Sequence, residues 1–434
     1  MSQVIAPGIF IFTLYLVIAR PRQINLGLAA MIGAGVALLA GIISFRDLVA
    51  VLQIIWNATL ALIGIIIISR ILDEAGFFEW SALHVARLAG GDGTRAFFFI
   101  ILLGALVSVF FTNDSTVLIL TPIVYEMMRA LNLGERHTLP FVMACGFIAD
   151  TMSSPLVVSN LVNIITADYF RIGFTSYALT MVVPALISLA TSLLMLYLFY
   201  RKDLPAGYDL RRLKRPVEAI RDLFVFRLGI GVLVLVVAAF FGGSFLRLPV
   251  SAIIGAGAAV LLAATYKARA VDAGKILRMA PWHIVVFSLG MYLVVYGLRN
   301  AGLTAVAGRM LSAAAGAGSL AATVVTGFNS AAMSSVMNNL PSVMFGALTL
   351  DGLSVPAATR QAMVFAHVIG CDLGPKMTPL GSLATLLWMH VLDSKGLKIS
   401  WRYYLRVGLV ITPPVLLATL LALWAWMRFG LGVV

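Results

Sequence analysis

Two stretches of this chain bury polar residues in long apolar runs, and a constant offset relates them. The first comprises LDEAGFFEW (72–80), FTNDSTVLILTPIV (111–124) and ADTMSSPLVVSNLVN (149–163). The second comprises LRNAGLTAV (298–306), VMNNLPSVMFGAL (336–348) and CDLGPKMTPLGSLAT (371–385). A shift of 226 residues lays Leu72 on Leu298, Ala75 on Ala301, Gly76 on Gly302, Asn113 on Asn339, Thr116 on Ser342 and Val117 on Val343. Lipid offers backbone N–H and C=O groups no partner. Irregular polar backbone at membrane depth is therefore tolerated only against protein or a water-filled cavity. Two apolar halves interrupted at matching places predict internal repeats with a solute site near the membrane midplane, between the halves.

Composition sets the solvent. The chain has 434 residues, 61% hydrophobic and 11% charged, whereas soluble domains carry about 25% charged residues. An all-α polytopic membrane protein is expected. Val4 to Ile18 reads as a spanning helix and not as a signal peptide, because no basic region precedes it and no small-residue cleavage site follows. Cys145 and Cys371 lie in apolar segments and make no disulfide framework.

Spanning segments are predicted near 3–19, 24–44, 48–69, 138–167, 176–200, 228–245, 248–266, 281–298, 356–391 and 406–428. The segments 138–167 and 356–391 exceed the roughly 20 residues a crossing needs and are read as broken helices. The stretches 96–129 and 318–350 carry a polar tip between two apolar arms and are read as re-entrant hairpins. The segments 76–93 and 301–317 are amphipathic enough to lie along the surface. Each half thus has five spans, one of them broken, and one hairpin. The odd count inverts the second half. Residues 1–200 form the first inverted repeat, 201–227 a basic linker and 228–434 the second, together supplying scaffold and transport domains.

With both termini outside, loops 20–22, 70–95, 129–137, 201–227, 267–280 and 392–406 are cytoplasmic and hold 23 Lys and Arg, against 7 in the outer segments. Such a bias sets orientation. It also accounts for the net charge of +13 by anchoring at a lipid bilayer, without nucleic acid.

The chemistry is expected at the interruptions. Asn113, Asp114, Ser115 and Thr116 at one tip, and Asn338 and Asn339 at the other, are candidates to clasp a small polar solute. As caps alone they would only satisfy a turn. Ser153 and Ser154 in the first break, and Thr378 and Ser382 in the second, add hydroxyls beside half-helix ends that aim partial charges at the solute. Asp114, Asp150, Asp372 and Lys376 are the charges placed deep in the membrane, where each costs about 2.5–3.5 kcal/mol on insertion scales. They are expected to exchange protons or bind a cation. A fixed Asp372–Lys376 pair bracing the helix is the alternative. Cys145 and Cys371 are weak candidates for contact with a thiophilic solute, and no fixed metal ion is expected. His367 is read as a packing residue, while Asn160 and Asn163 face the cavity or bond a neighbouring helix. No GxxxxGK[ST] loop is present, and no cofactor is called for.

The segments FTNDSTVLILTPIV, FIADTMSSPLVVSNLVNI, SVMNNLPSVM and CDLGPKMTPLGSLATLLW resemble the signature segments of the arsenite/antimonite efflux permeases, of the ArsB type in the ion transporter superfamily. The resemblance covers nearly the whole chain, including RKDLPAGYD in the linker. It implies a bacterial cytoplasmic (inner) membrane transporter, not an enzyme. Its substrates would be trivalent arsenite and antimonite, exported as neutral hydroxides by elevator-like alternating access. The drive would be protons or, in some systems, a cytosolic arsenite-stimulated ATPase docked on the permease. A sodium/proton antiporter of the same superfamily is the runner-up. A dicarboxylate importer is disfavoured by Asp114 at a tip. An intramembrane aspartyl enzyme using Asp150 and Asp372 is a remote third, since Gly370-Cys371-Asp372 lacks the GxGD pattern of that chemistry.

Overall fold

The computed structural model describes residues 2–19, 21, 24–246, 248–265, 274, 276 and 282–433. Arg247, much of the expected 20–22 loop and most of the 267–280 loop lie outside them. Among the described residues the fold is helical throughout, with no strand. Seven helices are long and apolar enough to cross a membrane. Large side chains such as Trp56, Leu106 and Leu235 point outward from them, as a lipid-facing surface requires.

The first half runs α1 (Ser2–Ala19), α2 (Leu26–Leu39), α3 (Phe45–Glu74), α4 (Phe77–Leu88), a hairpin of α5 (Gly93–Phe110) and α6 (Asn113–Ala130), a helix broken into α7 (Glu135–Thr151) and α8 (Leu161–Tyr169), and α9 (Phe174–Tyr200). The second half repeats the order. It runs α10 (Leu223–Leu246), α11 (Val250–Thr265), α12 (Trp282–Asn300), α13 (Leu303–Gly316), a hairpin of α14 (Ser319–Met337) and α15 (Asn339–Asp351), a helix broken into α16 (Ala357–Leu373) and α17 (Leu383–Ser394), and α18 (Trp401–Ala425). The chain turns between α5 and α6 at 111–112 and between α14 and α15 at 338, and α7 and α8, like α16 and α17, are separated by non-α segments at 152–160 and 374–382.

Contacts recur in reciprocal pairs. Helix α2 packs on α12 as α3 packs on α11; α5 packs on α7 as α14 packs on α16; α6 meets α17 as α15 meets α8. This is the reciprocity two inverted repeats require. Helices α4 and α13 both start from a left-handed glycine, Gly76 at φ +92 and Gly302 at φ +85. These are the two positions the 226-residue shift superimposes. A side chain would be strained there, and a Cβ on Gly76 would also fall on the Ala219 carbonyl of the linker.

Polar pairs join distant segments: Arg136 pairs with Asp203, Lys395 with Glu126, and both Lys214 and Arg221 with Glu79; Asn57 binds Asp168, Tyr169 binds Asp351 and Asn300 binds Asp47. In the linker, hydrogen bonding from Arg215 holds the exposed Glu218 carboxyl below its ordinary range.

Candidate functional site

Four helices begin at one small cavity. Thr112, Asn160, Asn338 and Ser382 cap α6, α8, α15 and α17, accepting from the backbone N–H of Ser115, Val162, Leu340 and Ala384 respectively. Such caps satisfy one free donor each and leave other first-turn N–H groups facing forward. The cavity is lined by the opening residues of all four helices: Thr112, Asn113 and Asp114; Asn160 and Leu161; Asn339 and Leu340; Ser382 and Leu383. Leu62 of α3 and Ile284 of α12 close it.

The tips are held by the breaks. Asn339 donates its backbone N–H to the Gly381 carbonyl at 3.0 Å, and the Asn338 amide donates to the Leu380 carbonyl at 3.4 Å. Asn338 takes φ +77, a conformation side chains rarely adopt and one that clusters at functional sites.

Behind the cavity wall sit the deep charges. Asn113 donates to Asp150 at 2.9 Å and Asn160 donates to Asp372 at 2.8 Å. Both asparagines line the cavity, so each aspartate stands one amide behind it. Asp150, Asp372 and Lys376 are almost fully buried, and the second Asp372 oxygen, Oδ2, has no hydrogen-bond partner. The Lys376 ammonium donates to Thr151 Oγ1 at 2.6 Å. Among the described residues no ion pair joins Lys376 to Asp372, and the lysine instead ties the second broken helix to the first. The Asn160–Asp372 bond ties the same two helices.

Of the other expected solute contacts, Asn113, Asp114, Asn339 and Ser382 line the cavity and the rest spend their polar atoms on the protein. Ser115 bonds Thr112 and Ser69, and Thr116 the Thr112 carbonyl. Ser153 and Ser154 bond the carbonyls of Asp150 and Thr151, and Thr378 that of Ser335. Cys145 and Cys371 are buried free thiols absent from the cavity wall; Cys371 Sγ lies 3.7 Å from His367 Nδ1. Among the described residues no group of three His, Cys, Asp or Glu is placed to hold a metal. Sequence reasoning missed Thr112 and the apolar wall, Leu62, Leu161, Ile284, Leu340 and Leu383, because a leucine in an apolar helix gives no signal. Asn160 was left open; its place as the cap of α8, matching Ser382, was the available clue.

The chain is similar to known proteins. The family described as "Arsenical pump membrane protein" matches residues 5–427. A protein of that name from Yersinia enterocolitica is 55% identical over 96% of this chain and 98% of its own. One from Escherichia coli is 53% identical over 98% of this chain and 100% of its own. The crystal structure of the Alcanivorax borkumensis YdaH transporter, described as revealing an unusual topology, superimposes with a TM-score of 0.56 at 15% identity, covering 89% of this chain and 88% of that one. That likeness bears on the fold alone.

Proposed function

The chain belongs to the arsenical pump membrane protein family, and so to arsenical efflux transporters and not to enzymes; we propose that it exports trivalent arsenite and antimonite as neutral trihydroxides in exchange for protons. The observation that carries this reading is the meeting of four helix starts at one cavity with a buried aspartate one amide behind each of two wall asparagines. A trihydroxide offers donors and acceptors on all sides. Helix N–H groups, the amides of Asn113 and Asn339 and the Ser382 hydroxyl match its oxygens, while Asp114 accepts from its O–H groups.

Coupling follows from the asparagines. A carboxylate accepts the amide N–H; once protonated, it can present a donor instead. The amide then turns, and the donor pattern of the cavity changes with it. Solute and proton so compete for one site through Asp150, Asp372 or both, with Lys376 adjusting their charge. Exchanging one proton for one neutral solute moves one charge, worth about 2.3 kcal/mol per 100 mV. At about 1.4 kcal/mol per decade this sustains roughly a 50-fold gradient per 100 mV.

In this reading the hairpins and broken helices (α5–α8 and α14–α17) form the transport domain. They move elevator-like against α1–α3 and α10–α12. Residues 1–200 and 228–434 are the inverted repeats in an inner membrane, with the 201–227 linker cytoplasmic and both termini outside.

The test is arsenite uptake into everted vesicles with and without an imposed pH gradient, for wild type and Asp150→Asn. Gradient-dependent uptake that a protonophore collapses supports proton exchange. Sodium movement that tracks the pH gradient, without arsenite uptake, would overturn it. If Asp150→Asn and Asp372→Asn both keep full gradient-driven uptake, the coupling assignment fails.

A further inference from the structure

A second cavity, of about 420 Å³, lies between the turn that ends α8, the first turn of α9 and the first turns of α16. Arg171, Ser176, Arg360 and Gln361 form its polar wall, and Ile172 and Val364 are part of its apolar one. Among the described residues no aspartate or glutamate lines it. The carboxylates of the adjoining segments are engaged elsewhere: Asp168 accepts from Asn57 at 2.7 Å and Asp351 from Tyr169 at 3.2 Å. Among the described residues neither the Arg171 nor the Arg360 side chain has a hydrogen bond or an ion pair. Arg360 Nε is shut off from solvent and still finds no acceptor. A buried charged donor left unpaired is costly. Two guanidinium groups thus face one cavity, and the chain supplies no anion to answer them.

Placement names the ligand. Helix α9 is one of the seven long and apolar enough to cross a membrane, and Ser176 stands in its first turn. The cavity is therefore at the boundary of the hydrocarbon, the level of lipid headgroups, whichever way the chain is oriented. From Ser176 onward Leu179, Val182 and Leu186 point outward along α9, an apolar track that an acyl chain can follow. We propose that Arg171 and Arg360 hold the headgroup phosphate of an acidic phospholipid in this cavity. A guanidinium fork matches phosphate oxygens two at a time, and Ser176 and Gln361 add neutral donors. A zwitterionic headgroup brings a cation of its own toward two arginines, so the net-negative lipid is preferred. The bound lipid bridges the end of α8 in the first half to the start of α16 in the second. This site is separate from the solute cavity, and the proposal does not depend on which solute is exported.

The experiment titrates delipidated full-length protein in detergent with phosphatidylglycerol or phosphatidylcholine and counts bound lipid by native mass spectrometry. Wild type is compared with the Arg171→Gln, Arg360→Gln double variant. Wild type is expected to bind phosphatidylglycerol on the order of tenfold more tightly than the variant, and the two to bind phosphatidylcholine weakly and alike. Millimolar inorganic phosphate is expected to leave the phosphatidylglycerol in place. Equal affinity of wild type and variant for phosphatidylglycerol overturns the site. Radiolabelled phosphate that binds wild type, displaces the lipid and is lost in the variant overturns the lipid as ligand and assigns the two arginines to a free oxyanion. Where the double variant fails to fold, Gln361→Glu takes its place. It puts a carboxylate among the arginines, and the same loss of phosphatidylglycerol is expected of it.

Discussion

The Asn160 side chain reaches Asp372 Oδ1 at 2.8 Å from the opposite half of the chain, while its own Oδ1 caps α8 and its residue lines the cavity. One amide therefore holds a helix start, a buried carboxylate and a face of the site. Ser382 occupies the matching place in the second break and caps α17 in the same way.

That match supplies a clean substitution. Asn160→Ser keeps the cap and loses the reach to Asp372, whose other oxygen already lacks a partner. A hydrogen bond to a charged group is worth about 1.5–3 kcal/mol. Gradient-driven arsenite accumulation in vesicles is expected to fall about tenfold to a hundredfold, while arsenite counterflow, which needs no proton, persists. Unchanged accumulation would remove Asn160 from the coupling path.

The two thiols lie off the cavity wall. A Cys145→Ala, Cys371→Ala double variant is expected to keep its KM for arsenite within about twofold, as when no contact to solute is removed. A KM raised tenfold or more would mean the solute meets sulfur along its path.

This thiol-free background also tests orientation. A cysteine placed at Lys202 in the linker is expected to react with a membrane-impermeant maleimide in everted vesicles and not in intact cells. Cysteines placed at Arg171 or Arg360 are expected to do the reverse. A reversed pattern would turn the whole topology over.

The linker is fastened where Gly76 meets Ala219. Gly76→Val combines a left-handed φ with a backbone collision, and is expected to free the linker so that trypsin cuts at Arg211–Arg212 many times faster. Glu79→Gln, which removes only exposed pairs to Lys214 and Arg221, is expected to change stability by less than about 1 kcal/mol. Equal trypsin sensitivity of the two would show that the ion pairs, and not the close approach, hold the linker.

Much of this was legible in the sequence, because lipid leaves few excuses for polarity. Asn113 and Asn339 announce the tips, and the Pro, Gly and Ser of 153–155 and 374–382 announce the breaks. The bend before α13 is marked by Gly302, as Gly76 marks its counterpart. What stayed hidden depends on direction. Ser115, Ser153 and Thr378 look like solute ligands in one dimension, yet each hydroxyl turns back to its own protein. The spacing of Asp372 and Lys376 suggests one turn of an ion pair, but the break rotates the ammonium toward Thr151 instead. Spacing rules assume an unbroken helix, and they fail where the site is built.

The close approach of α14 and α16 has its own consequence. A Cβ on Gly370 would fall on the Gly327 carbonyl, and small residues of this kind let two backbones touch. Rods in such intimate contact slide past one another badly. In the second half the hairpin arm and the broken helix then share a single degree of freedom. The two halves meet at the seams where α6 packs on α17 and α15 on α8. The cavity lies at the intersection of those seams, so its shape is set by how the two blocks meet.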